Sequence, residues 1–309
     1  MLRKTFLYLS EQKSLREFAV KNPLARRFAS RFVAGETLDT AVSAVRELNG
    51  RGISASLDVL GESVTSVAEA RSSAAMVVET QERIAAEQLD CNVSVKLTQM
   101  GLDLDSGLCA ENMRSILGRG RDLGMFVRID MESSAHTQRT LDLFEREFLP
   151  AHGDRVGIVL QSYLRRTAAD VDRLLGVRAR VRLCKGAYDE PAAVAFPAKA
   201  DVDRNYAELM ERLLEHGNRP AVATHDPALI ARARQFVSAK GITPDRFEFQ
   251  MLYGVRRDLQ EELQRAGFRV RVYVPFGTHW YPYFMRRLAE RPANVAFILG
   301  NVVRESVRS

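Results

Sequence analysis

Along the 309-residue chain the apolar positions change rhythm near residue 52. Before it they recur at helical spacing in three pieces, 12–20, 23–33 and 37–49, which predict an N-terminal arm of helices over residues 1–49. After it, short apolar or alternating runs stand at 53–60, 92–97, 126–131, 156–163, 181–184, 221–224, 247–252 and 268–274. Their length and their β-branched and aromatic content read as strands. Amphipathic helical stretches fill the gaps, at 64–88, 109–122, 135–149, 167–177, 201–217, 227–240 and 255–266, with an eighth beyond Pro282. Strict alternation of strand and helix requires parallel strands with right-handed crossovers, and eight such units close into a barrel. The predicted fold is α/β, a distorted (β/α)8 TIM barrel over 50–309 preceded by the arm.

The rival architecture, an open doubly wound sheet, needs a glycine-rich loop between a strand and a helix. The one glycine-spaced candidate, Gly118 to Gly124, follows a helix with the wrong spacing and reads as the turn that ends it. No GxxxxGK[ST] or HExxH occurs. A hydrophobic share of 46% and a charged share of 27% are those of a globular chain. The net charge of +6 attracts anions, but the arginines are spread over nearly every helical segment, so no nucleic-acid partner is expected. The three cysteines, Cys91, Cys109 and Cys184, are scattered and lack a zinc spacing, which points to a reducing cytoplasm and to no metal. The opening basic and apolar residues stop at Glu11 and Lys13, too soon for a signal sequence. No run reaches the ~20 apolar residues of a membrane span, which leaves peripheral contact with a membrane open.

In a barrel of this kind the carboxyl ends of the strands line the site. Here they carry Lys96, Asp130 with Glu132, Gln161 with Tyr163, Arg182 with Lys185-Gly186-Ala187-Tyr188, Thr224-His225-Asp226, Gln250 with Leu252, and Tyr273. So many polar groups are hard to bury without a ligand to satisfy them. Beyond the last strand, Tyr283, Arg286, Arg287 and Glu290 fall at i, i+3, i+4 and i+7, on one face of a helix. Two guanidiniums beside a phenol form a receptor for a carboxylate, although an Arg286–Glu290 pair on a solvated face gives the same pattern. Several other positions also read two ways. Lys96 can pair with Asp130 as a structural bridge; Arg182 and Lys185 beside a Gly-Ala turn suit a phosphate or a reduced flavin. Thr224 and Asp226 can cap the helix at Pro227, His225 has no second ligand for a metal, and Cys184 reads as a buried small hydrophobe.

The motifs at 93–97, 182–188, 223–226 and 247–254, with the helix from Tyr283 to Glu290, resemble those of the proline dehydrogenase family, in its short monofunctional bacterial form. The resemblance spans about residues 50–300 and implies oxidation of L-proline to 1-pyrroline-5-carboxylate by hydride transfer to N5 of FAD, with electrons passed to a quinone. It implies that Lys96, Arg286 and Arg287 hold the proline carboxylate, that Tyr188, Leu252, Tyr273 and Tyr283 enclose the ring, and that Asp130 orders the site. On the FAD side it implies Arg182 near N5, Gln161 at the ring edge, Lys185, Gly186 and Ala187 along the ribityl and pyrophosphate, and Thr224, His225 and Glu290 at the adenosine. A pyrroline-5-carboxylate dehydrogenase would be the transient partner receiving the product. Two features depart from the bifunctional members: Asp189 stands where they carry tryptophan, and Trp280 lies in a shorter spacer. The resemblance also implies that hydroxyproline is the weaker substrate, since relatives that prefer it carry a smaller residue in place of Tyr273. A non-catalytic proline-sensing barrel, and a lyase using Lys96 or Lys185 as a Schiff-base amine, are the readings from other classes.

Overall fold

The computed structural model describes residues 22–290, so the helical piece expected at 12–20 lies outside the described residues. Eight parallel strands, β1 (Ser54–Val59), β2 (Cys91–Val95), β3 (Val127–Ile129), β4 (Val156–Gln161), β5 (Arg180–Cys184), β6 (Ala221–Ala223), β7 (Glu248–Leu252) and β8 (Val270–Phe276), close in sequence order into a barrel. The closing pair runs from Ser54 opposite Arg271 to Val59 opposite Phe276. Several strands differ at their ends from the sequence expectation, β2 and β4 each stopping two residues early, at Val95 and Gln161. β3 stops at Ile129, so Asp130 and Glu132 lie just beyond the ladder, whereas β8 continues through Pro275 to Phe276 instead of ending before them. The proline interrupts nothing on its acceptor side, where its carbonyl takes the N–H of Ala34 at 2.8 Å.

The helices are α1 (Pro23–Ala29), α2 (Leu38–Gly50), α3 (Val67–Ala86), α4 (Ser106–Asp122), α5 (Ser134–Leu143), α6 (Thr167–Gly176), α7 (Lys199–His216), α8 (Pro227–Ala239), α9 (Arg257–Arg265) and α10 (Trp280–Glu290). Thr37 caps α2 through a reciprocal hydrogen-bond pair with Thr40. Gly118 and Gly120 lie inside α4, and only Gly124, with φ +68°, belongs to the turn that follows it. The helix expected over 135–149 is broken into α5, a π-helical turn (Phe144–Phe148) and a short helical turn (Leu149–His152). Pro150 has no N–H to give the i−4 carbonyl, which accounts for the irregular turn before it. Among the described residues no helix is long and apolar enough to cross a membrane.

The barrel is distorted at its seam. α2 packs its buried face, Ala41, Val42, Ala44, Val45 and Leu48, against β1 and β8 on the outer layer. The helix that follows β8 goes elsewhere: α10 joins Phe32, Val33 and Leu60 in a second apolar cluster, against which Leu252 and Tyr273 pack. Trp280 anchors this cluster, 2% exposed, with its indole N–H on Glu36 Oε1 at 3.0 Å. Each large apolar side chain so buried contributes roughly 1.5–3 kcal/mol. The segment before α2 is fitted tightly here, because a Cβ on Gly254 (φ +71°) would lie 1.6 Å from the Arg31 carbonyl oxygen. The outcome is that α10 lies over the carboxyl ends of the strands, with Arg286 and Arg287 on it.

Candidate functional site

The mouth of the barrel holds a continuous network of buried charge. Lys96, just past β2, points Nζ at both carboxylate oxygens of Asp58 on β1, at 2.9 and 3.0 Å. Asp130 Oδ2 stands 3.8 Å from the same ammonium and accepts the Tyr273 hydroxyl at 2.7 Å, while Asp130 Oδ1 pairs with Arg182. Arg182 gives its other terminal nitrogen to Gln250 Oε1 at 3.1 Å, and its guanidinium lies 5.3 Å from the Tyr273 ring centre. The Lys96–Asp130 pairing expected from the sequence is present at 3.8 Å, but the closer partner of Lys96 is Asp58, and Asp130 also serves Arg182 and Tyr273. Burial opposes the charge of Lys96, but Asp58, then Asp130 and Glu62, outweigh it and hold the amine above its ordinary pKa. Burial, with the Asp130 charge, lifts the Asp58 carboxyl despite Lys96. The ammonium is the fixed member of this pair, since three carboxylates act on it. Burial, reinforced by Asp130 and Asp58, also pushes the Tyr273 phenol well up, so it stays a donor.

From the other side come Arg286 and Arg287 on α10. Both terminal nitrogens of Arg286 meet the two carboxylate oxygens of Glu62, in the β1–α3 loop, one of them at 3.1 Å. The Arg286–Glu290 pairing considered from spacing falls on a Glu290 side chain that lies outside the described residues. Burial opposes the Arg286 charge and Glu62 more than restores it. The guanidinium lies 5.9 Å from the ring centre of Tyr188, and that of Arg287 lies 5.1 Å from Tyr283 on its own helix. Tyr188 is pushed well up by burial and then by Glu62, with Arg286 opposing. Glu62 acts on Lys96, on Tyr188 and on Glu132 as well as on Arg286, so cations from β2 and α10 face one region.

The rim between β4 and β6 has a different character. Gln161, 2% exposed, gives Nε2 to the Glu132 carbonyl at 2.7 Å and leaves Oε1 buried without a hydrogen-bond partner. Gly186 has φ +115° and sits so close to Tyr163 that a Cβ would be 2.2 Å from its ring. Lys185 is held by Asp203 at 2.6 Å and Asp226 at 2.8 Å. Asp226 also caps α8 through the Ala228 N–H, and Thr224 Oγ1 accepts the Asp226 N–H. His225 Nε2 accepts the N–H of Leu252 at 2.8 Å, which places its proton on Nδ1. Cys184 is half-buried, a correction to the fully buried position expected for it. Ala187 follows Gly186 on the same loop and is half-buried.

Sequence reasoning missed Asp58 and Glu62. Asp58 carries a legible signal, because Ser54, Ser56 and Asp58 alternate with apolar residues and put a carboxylate on the inner face beside Lys96. Glu62 carries none, as it lies in a loop whose path depends on the whole fold. Glu132, expected as a strand-end carboxylate, receives the N–H and hydroxyl of Thr98, and burial raises its pKa.

Residues 41–299 match the family model described as proline dehydrogenase. Proline dehydrogenase 1 of Bacillus subtilis (strain 168) is 44% identical over 308 residues, which is 99% of this chain and 100% of the relative. The proline dehydrogenase of Deinococcus radiodurans is 41% identical over 307 residues, covering 98% of each chain. Among solved structures, proline utilization A from Bdellovibrio bacteriovorus, inactivated by N-propargylglycine, superposes with a TM-score of 0.81 at 27% identity. That likeness covers 90% of this chain and 34% of the larger one.

Proposed function

The chain belongs to the proline dehydrogenase family and acts in the oxidation of proline, and on that premise we propose that FAD is its acceptor and that the mouth of the barrel is the active site. The observation that carries this reading is the Glu62 carboxylate, seated in the fork of Arg286 while its charge acts on Lys96. A carboxylate of the chain already lies among the cations to which the reading assigns the carboxylate of proline. Lys96, Arg286 and Arg287 bind that carboxylate by charge-assisted hydrogen bonds. Tyr188, Leu252, Tyr273 and Tyr283 enclose the ring and exclude water, and Asp130 orients Tyr273 and Arg182.

The chemistry of the rim fits a flavin. The orphaned Gln161 Oε1 is an acceptor that needs a donor, and the Cβ-free Gly186, at φ +115° against the Tyr163 ring, fixes the course of the loop assigned to the phosphate-bearing chain. Gln161 and Arg182 would hold the ring, Lys185, Gly186 and Ala187 the ribityl and pyrophosphate, and Thr224, His225 and Glu290 the adenosine. When bound, FAD would accept a hydride from the ring carbon next to nitrogen, leaving 1-pyrroline-5-carboxylate, and pass electrons to a quinone. Arg182 supplies fixed positive charge where negative charge develops. Lys96 is held protonated by its carboxylates, which runs against a Schiff-base role. The bulk of Tyr273 beside the assigned ring site favours proline over hydroxyproline. A separate pyrroline-5-carboxylate dehydrogenase would receive the product, and contact with a membrane would serve transfer to the quinone.

The test is the visible spectrum of the purified protein before and after anaerobic L-proline. A yellow protein that proline bleaches supports the reading; a colourless one that takes up no FAD and still binds proline would make it a sensor instead.

A further inference from the structure

Barrel interiors of this type are usually filled by branched apolar side chains. Below this mouth the interior is instead polar. Arg271 on β8 holds both oxygens of Glu248 on β7 at 3.2 Å through Nε and gives Nη1 to the Ala55 carbonyl at 2.7 Å. Glu248 Oε1 accepts Gln250 Nε2 at 2.5 Å, and Gln250 Oε1 accepts Arg182 Nη1 at 3.1 Å. Glu248, Gln250 and Arg182 are 8%, 5% and 7% exposed, so water does not compete for these bonds.

We propose that Glu248 is a positioning residue for Arg182, acting through the amide of Gln250; the inference rests on the flavin reading given above. A glutamine can present either end of its amide, and only its partners decide which. The carboxylate of Glu248 is solely an acceptor, so Gln250 must turn its NH2 toward β7's start and its oxygen toward Arg182. Arg271 clamps Glu248 and keeps it from turning away. With Asp130 on the other terminal nitrogen, the guanidinium of Arg182 is fixed at two points. Once Glu248 is neutral the Gln250 NH2 loses its charged acceptor, and the amide that holds Arg182 is anchored less firmly. Arg182, still paired with Asp130, is then held less firmly at its second point, and its stabilisation of negative charge on the neighbouring flavin falls. The clamp on the substrate carboxylate is built from other residues and stays as it is.

The experiment uses the flavin-loaded full chain with Glu248→Gln, Gln250→Leu and the two combined. Sulfite, which adds to an oxidised flavin and leaves negative charge on its ring, is the probe of Arg182. Each single change raises the sulfite dissociation constant about tenfold, the worth of one hydrogen bond to a charged group. Flavin reduction at saturating proline slows similarly, while the apparent proline affinity moves by no more than about twofold, because uniform binding is untouched. The double variant loses no more than the worse single one, since the second change acts through the first. Losses that multiply, unchanged sulfite affinity in the singles, or a change confined to proline affinity would each overturn the proposal. Should Glu248→Gln fail to fold for want of a partner for Arg271, Gln250→Leu leaves that pair intact, and unchanged sulfite affinity there overturns it equally. A wild-type protein that takes up no flavin removes both the reading and this inference. Flavin that binds but ignores these substitutions removes the inference alone.

Discussion

Asp58 and Lys96 form a two-pronged buried ion pair, with both carboxylate oxygens within 3.0 Å of Nζ and the two side chains 1% and 9% exposed. Removing one partner from such a pair leaves the other's charge uncompensated in a poor solvent. Asp58→Asn is expected to cost about 3 kcal/mol of stability, read as a lower urea midpoint, and to weaken proline binding as Lys96 shifts toward Asp130.

Arg286 engages Glu62 through a fork, and the same fork is assigned to the carboxylate of proline. A lysine keeps the charge without the planar pair of donors. Arg286→Lys is expected to raise KM for proline about 10- to 100-fold, the worth of one or two charge-assisted hydrogen bonds, with a smaller change in kcat. An unchanged KM would place the carboxylate elsewhere.

Gly186→Ala puts a methyl group into the ring of Tyr163 on a backbone at φ +115°. The loop must move or Tyr163 must turn. Purified Gly186→Ala protein is expected to hold a substoichiometric amount of FAD, measured by absorbance ratio, while its circular dichroism matches the parent; full occupancy would show that this loop is not part of the cradle.

Burial pushes the thiols of Cys91 and Cys109 from 9.0 up to about 12. An acid whose folded pKa is raised contributes stability that is complete below the unfolded pKa and is lost as pH climbs through the folded one. The unfolded chain therefore gains from ionisation above about pH 9, by up to about 1.4 kcal/mol for each unit and each thiol. The urea midpoint should fall steadily from about pH 8.5 to 10.5, and Cys109→Ala should flatten the fall.

The barrel was legible because strand and helix alternate in hydrophobic period, a local property that the closed sheet then confirms. The polar residues at the strand ends were legible for the same reason, as Lys96, Asp130, Arg182 and Tyr273 prove to be one network. The position of α10 was not, since its periodicity gives a face but not what that face meets. That is decided by α2 taking the outer place beside β1 and β8, and by Phe32 and Leu60 burying the apolar side of α10. Glu248 and Arg271 were overlooked because they lie in the first two positions of their strands, at the end expected to serve stability alone.

The proposed site rests on cations of β2 and α10 that seize a carboxylate opposite a flavin. The direct measurement is anaerobic bleaching of the flavin band by L-proline and, in parallel, by L-prolinamide, which keeps the ring and replaces the carboxylate with a neutral amide. Half-bleaching is predicted to need at least about 100-fold more prolinamide than proline, the loss of paired charged hydrogen bonds. Equal concentrations would contradict the account.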